Sequence, residues 1–197
     1  MLCKPPGISI DPRQTARQGQ YLVFRPIGTI AFLRLDPTII EKAASDMKIT
    51  ESELKKLLVK NLPGIDNHGE LVEEIGEGRV RIRLPFNEEY MGEDVWGRSG
   101  NRVFSGPITM GLADTSMYAC ALSAFGQGVI PVIVTLTINF LSPVKAADLI
   151  AESRIIRQGK SLAYLETYIY SDGTEKPVAH ITSTYAIRDR GKTDAGD

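Results

Sequence analysis

The sequence predicts an α+β fold in which a curled antiparallel β-sheet wraps around one long buried helix. Three observations carry this. Between Pro107 and Phe125 apolar residues occur on nearly every helical face, and the one charge among them is Asp114; a helix that is apolar all round is a buried helix. Four strand-like segments follow in succession, Val132–Phe140, Leu149–Gln158, Leu162–Tyr170 and Val178–Ile187. Ahead of the helix, Arg79-Val80-Arg81-Ile82-Arg83-Leu84 alternates strictly between charged and apolar, the pattern of a strand with one wet and one buried face.

The local signals set the boundaries. Asp36-Pro37-Thr38 can open a short helix reaching about Ser45. Thr50 followed by Glu53 forms a capping box, with Leu54, Leu57 and Leu58 on one face of the helix behind it, Lys55, Lys56 and Lys60 on the other, and Pro63-Gly64 as a stop. Glu70–Ile75 reads as a strand turning at Gly76-Glu77-Gly78, and residues 87–100 as a loop. Ser105 can cap the long helix, Pro107 suits its first turn and Gly126 its end. Asp172-Gly173 marks a hairpin turn. Short turns predict that the strands after the helix pair with their sequence neighbours. One sheet cannot cover all its own faces and edges, so a homodimer is expected.

The chain has 197 residues, 43% hydrophobic and 24% charged, with a net charge of −1, so its total charge gives no pull toward nucleic acid or an anionic membrane. Cys3 and Cys120 have no pairing pattern, which fits a reducing, cytoplasmic compartment. Residues 1–46 form an N-terminal extension, residues 47–188 the folded domain and residues 189–197 a polar tail. The first 35 residues carry Lys4, Arg13, Arg17, Arg25 and Arg34 against a single acid, Asp11. This is a weak transit-peptide pattern; the plainer readings are a loosely ordered extension, or upstream sequence ahead of a start at Met47.

Asp114 is the residue that calls for explanation. A buried carboxylate is costly unless paired, hydrogen-bonded or neutralised, and its sequence neighbours offer Thr109, Thr115 and Ser116 but no base. At the helix start, Ser105-Gly106-Pro107 leaves amides without intrahelical acceptors, and Pro107 removes one, so the Gly106 N–H is the natural donor to a developing oxyanion. An ordinary serine cap followed by proline explains the same residues. Arg154, Arg157 and Lys160 flank the turn at Gln158-Gly159 and could take phosphate, or could be solvated surface charges. Asn139 interrupts an otherwise apolar strand. His68 and His180 have no partners at metal-ligand spacing, and Cys120 reads as core.

The run Ser105-Gly106-Pro107-Ile108-Thr109-Met110-Gly111-Leu112-Ala113-Asp114-Thr115, followed by Thr137-Ile138-Asn139-Phe140-Leu141-Ser142-Pro143 and Gly159-Lys160-Ser161, resembles the PaaI-like acyl-CoA thioesterases of the hotdog superfamily over about residues 65–188. The resemblance implies a hotdog fold, hydrolysis of an acyl-CoA thioester, no metal and no cofactor. It implies a dimer or a tetramer, with Asp114 as the nucleophile or general base, the Gly106 amide polarising the carbonyl, and the turn of Arg154, Arg157 and Lys160 near the nucleotide end of the ligand. Ser105, Thr115 and Asn139 are expected to contact the substrate as well, Asn139 by ordering water or the Asp114 carboxylate across the dimer; a bond to backbone is the plainer reading of Asn139. Many members carry His-Gly-Gly where this chain has Ser105-Gly106-Pro107. The missing histidine argues against a dehydratase or hydratase of the same fold and gives some support to a non-catalytic acyl-CoA sensor.

Overall fold

The computed structural model describes residues 21–24, 31–34, 48–62, 69–92 and 102–191. The chain divides into two compact units, Met1–Met47 and Lys48–Asp197. In the first, β1 (Tyr21–Phe24) and β2 (Ala31–Arg34) pair antiparallel. The helix expected at 36–45 and His68 lie outside the described residues.

The second unit opens with α1 (Glu51–Asn61), and its capping box forms as the sequence requires: Thr50 Oγ1 accepts from the Glu53 amide while the Glu53 carboxylate accepts from the Thr50 amide. β3 (Leu71–Gly76) and β4 (Arg79–Leu84) make a hairpin. The segment read as a loop contains a single 3-10 turn, Glu88–Tyr90, then β5 (Met91–Gly92), which pairs with β6 (Val103–Phe104). α2 (Gly106–Phe125) follows, and then β7 (Val129–Phe140), β8 (Leu149–Gln158), β9 (Leu162–Ser171) and β10 (Pro177–Asp189).

The main sheet is antiparallel throughout, in the order β3-β4-β8-β9-β10-β7. This corrects the expected neighbour pairing of the strands after the helix. β7 does not pair with β8; it crosses to the far edge and pairs with β10, the last strand. The Asp172-Gly173 turn does link neighbours, with Gly173 at φ 78°.

The sheet curls around α2, which packs against β8, β4 and β9. Leu112, Met117, Cys120 and Leu122 are wholly or almost wholly buried. Polar groups within this core are satisfied by one another. Ser116 Oγ lies 2.7 Å from Ser153 Oγ, which lies 2.5 Å from Thr167 Oγ1, a chain of hydroxyls joining α2 to β8 and β9. Gly126 ends the helix at φ 81°, a conformation that favours glycine, with its amide bonded to Leu122 O at 2.8 Å.

On the opposite face of the sheet the charged positions of β4 are tied down. Arg83 reaches Glu73, Asp148 and Asp172, and Arg81 reaches Glu73 and Glu152. β7 contains a bulge. Thr184 of β10 faces Thr135, but Tyr185 faces Ile133, so Val134 is the extra residue. The bulge switches the alternation of β7: before it Pro131 and Ile133 stand opposite Ile187 and Tyr185, and after it Leu136 and Ile138 pack on the core.

Truncating α2 at its centre tests this account of the core. Leu122→Ala should cost about 2–5 kcal/mol, read as a lower urea midpoint with an unchanged slope; a loss below about 1 kcal/mol would mean that the helix is not the packing centre.

Candidate active site

The start of α2 is held from both sides. The Ser105 amide donates to Tyr90 O at 2.8 Å, the Phe104 amide to Val144 O at 3.0 Å, and the Thr109 amide and hydroxyl both donate to Ser105 O at 3.1 Å. Ser105 occupies the cap position with extended backbone, but its side chain makes no capping bond, contrary to the sequence expectation. The Gly106 amide has no acceptor within its own helix. The Phe140 ring covers the Gly106 Cα: a Cβ built there would meet Phe140 Cζ at 3.4 Å. That leaves room for a methyl only in contact with the ring.

Asp114 sits two turns further on, half-buried. Its partner is none of the hydroxyls expected from the sequence. Thr109 bonds back to Ser105 and Ser116 to Ser153, and Thr115 is buried beside them. Instead the Tyr185 hydroxyl, from the inner face of β10, donates to Asp114 Oδ1 at 3.0 Å. Tyr185 is the residue the sequence reading missed. Its signal was present, because an apolar strand face carrying a phenol needs a polar partner and the buried helix offers a single carboxylate.

Burial raises the Asp114 pKa above the usual carboxylate range, and the Tyr185 hydrogen bond offsets part of that rise. Burial, reinforced by the Asp114 charge, pushes the Tyr185 phenol far up, so it remains a donor. Asp114 opens onto a cleft of about 650 Å³ that Tyr185 and Tyr118 also line.

The other predicted residues separate. Asn139 is exposed and pairs across the strands with His180, whose ring lies on the face away from α2, so within the protomer Asn139 does not reach Asp114. Arg154 is not free for phosphate: it grips Glu166 Oε2 through Nε at 2.9 Å and through a terminal nitrogen at 2.5 Å. The other Glu166 oxygen meets His180 Nε2 at 2.9 Å, and the His180 ring stacks on Tyr168. His180 thus has a structural setting. Arg157 and Lys160 are exposed and form no ion pair among the described residues. They flank a turn closed by the Gly159 amide on Leu162 O at 2.8 Å, where a Cβ on Gly159 would stand 3.0 Å from that same oxygen. Burial pushes the Cys120 thiol well above its ordinary pKa, as suits a core residue. Among the described residues no group of three His, Cys, Asp or Glu side chains is placed to hold a metal ion, and no helix is long and apolar enough to cross a membrane.

The thioesterase superfamily model matches residues 101–178, which span α2 with Asp114 and strands β7, β8 and β9. The domain has the hotdog fold, and its central stretch is similar to the thioesterase superfamily. A candidate thioesterase from a Silicibacter species is similar at 26% identity and TM-score 0.60, over 72% of this chain and 94% of that one. A thioesterase from Haemophilus influenzae superposes with TM-score 0.62 at 17% identity, covering 75% and 96%. A mutant of the phenylacetic acid degradation protein PaaI from Thermus thermophilus superposes with TM-score 0.53 at 19% identity, covering 64% and 98%. The last two likenesses speak to the hotdog fold. No curated protein matches the sequence.

The raised Asp114 pKa has a signed consequence for stability. A carboxyl that binds its proton more tightly when folded stabilises most below its unfolded pKa, and that contribution is lost as pH rises through the folded value. Asp114→Asn keeps an acceptor for Tyr185 without a charge. Its stability relative to wild type should therefore be greatest at neutral pH and shrink on acidification, compared by urea denaturation at about pH 4 and about pH 7.5. A gap that widens in acid would contradict the assigned shift.

Proposed function

We propose that the protein hydrolyses an acyl-CoA thioester at a site shared between two protomers, with Asp114 as the catalytic carboxylate and the Gly106 amide as the oxyanion donor. The observation that carries this is a half-buried carboxylate with one oxygen held by Tyr185 and the other open to a cleft, on a thioesterase-superfamily helix. The match to the thioesterase superfamily supports thioester hydrolysis in general; the CoA carrier and the residue roles are our reading.

The chemistry needs little else. The free Asp114 oxygen either attacks the thioester carbonyl, expelling the thiolate and leaving an anhydride for water to cleave, or takes a proton from the water that attacks. Negative charge gathers on the carbonyl oxygen in both cases, and the helix N-terminal amide at Gly106 is suited to receive it. Arg157 and Lys160 are suited to the anionic carrier; Arg154, bound to Glu166, supports the sheet.

Sharing between protomers is supported by distance. Gly106 and Asp114 stand eight residues apart on α2, about 12 Å along the axis, too far for one carbonyl to meet both. β7 bridges them. Its Phe140 end lies on Gly106, and its Ile130–Ile133 end lines the Asp114 cleft. β7 is also the sheet's edge, with Ile130, Val132, Ile133, Val134 and Phe140 exposed, and a long apolar edge strand invites pairing. Two-fold antiparallel pairing along β7 would bring the Phe140 end of one protomer beside the Ile133 end of its partner, and so one Gly106 toward the other's Asp114.

Four outcomes are expected in a free-thiol release assay over an acyl-CoA panel. Asp114→Ala should lose nearly all turnover while keeping its fold; full activity would remove Asp114 from the mechanism. Gly106→Pro deletes one N–H where the backbone already suits proline, and should lower kcat on the order of 10²–10³-fold, with Gly106→Ala far milder. Mixed and re-equilibrated, the Asp114→Asn and Gly106→Pro variants should recover about a quarter of wild-type activity, because half the dimers are then mixed and each has one intact site. A site confined to one protomer would recover nothing. Tyr185→Phe should move the acid limb of kcat/KM to higher pH, since the hydrogen bond that lowers the Asp114 pKa is gone. An unmoved limb would exclude Asp114 as the titrating base.

A further inference from the structure

We propose that the Asp114 cleft takes a short acyl chain ending in a carboxylate. This rests on the thioester reading above and adds the class of acyl group. The cleft has an apolar wall, Ile130 to Ile133, but its far end is polar and positive. Lys60, Asn61, Tyr118 and Arg190 line it with Asp114, which is the sole carboxylate among its described lining residues. Lys60 and Arg190 are exposed and form no ion pair among the described residues.

Two buried donors point the same way. Tyr118 is 7% exposed, although it carries a phenol. The Asn61 side chain is a hydrogen-bonding neighbour of Tyr118 that favours the ionised phenol against its burial, and its buried Nδ2 meets no acceptor at full hydrogen-bond geometry. A pocket shaped for a plain hydrocarbon gains nothing from an unpaired buried amide at its end, and such a group discriminates in favour of a ligand that supplies the missing acceptor. With cations on both sides, the fitting acceptor is an anionic oxygen.

Length separates the two sources such an oxygen could have. Tyr118 is four residues beyond Asp114, about 6 Å along the helix. An extended chain advances about 1.2 Å per bond, so a carboxylate about four or five bonds from the thioester carbonyl reaches the Tyr118 end. The nearest phosphate of CoA lies roughly 13 bonds from the sulfur, ~15 Å when extended, and overshoots it. The acyl group, not the carrier, is therefore matched to Lys60 and Arg190.

The test is calorimetric binding of thioether analogues of CoA to the full chain, with five- or six-carbon chains ending in carboxylate or in methyl. The carboxylate should bind at least about tenfold more tightly, as charge-assisted hydrogen bonds of this kind allow, and Arg190→Gln and Lys60→Gln should each shrink that preference. Equal affinity of the two chain ends in wild type overturns the proposal without reference to any variant. If Arg190→Gln weakens free CoA as much as the carboxylate analogue, the cations read the carrier phosphates and the proposal also falls. Because the readout is binding, wild type that hydrolyses no thioester, yet prefers the carboxylate, would sink the catalytic reading alone.

Discussion

The structure depends on the burial of α2. A helix of twenty residues with apolar side chains on every face can be covered only if the sheet curls around it, and that requirement dictates the rest. Strands on both sides of the helix in sequence contribute to one sheet, so β4, which precedes α2, lies beside β8, which follows it. The hydroxyl chain from Ser116 through Ser153 to Thr167 lets these three buried hydroxyls satisfy one another where α2 meets the sheet. Against this background the position of Asp114 is costly, and the Tyr185 hydroxyl is what makes it tolerable. The same contact leaves one carboxylate oxygen committed and the other available.

Much of this was legible in the residues, and the exceptions share a cause. The capping box at Thr50 and Glu53, the extent of α2, the Gly126 stop and the alternation of β4 are written within a few residues of chain, where propensity and periodicity act. Asp114 stood out because a single charge on an apolar helix is visible at once. The strand order was not legible, because β7 pairs with β10 across two intervening strands and no local signal encodes that crossing. Arg154 looked available because its partner, Glu166, is set by cross-strand register and not by sequence spacing. Tyr185 was missed for the same reason, since its partner lies 71 residues away. Asn139, expected to act across the dimer, stands opposite His180 and is turned from α2 within its own protomer.

The two faces of the sheet divide the work. The inner face supplies shape and the phenol that steadies Asp114. On the outer face, charges are consumed in lattices: Arg81 and Arg83 with Glu73, Glu152, Asp148 and Asp172, and Glu166 with Arg154 and His180. Partly exposed pairs of this kind contribute modestly one by one, but they span β3, β4, β8, β9 and β10 and so favour a single register. Lys60 and Arg190, which form no ion pair among the described residues, line the cleft instead.

The bulge at Val134 gives β7 a reading frame. Every residue on the Phe140 side of it is in one phase and every residue on the Ile133 side in the other, and the strand needs both phases to keep Leu136, Ile138 and the Phe140 ring on the α2 side while Ile133 stays beside Tyr185 on that same side. Loss of that single residue would not trim a loop or soften a turn. It would force the two halves of the strand into one phase, so that either the Phe140 end or the Ile133 end faced the wrong side. Length in β7 is thus under tighter constraint than composition: many apolar side chains could stand at its positions, but the count between Ile133 and Phe140 cannot change.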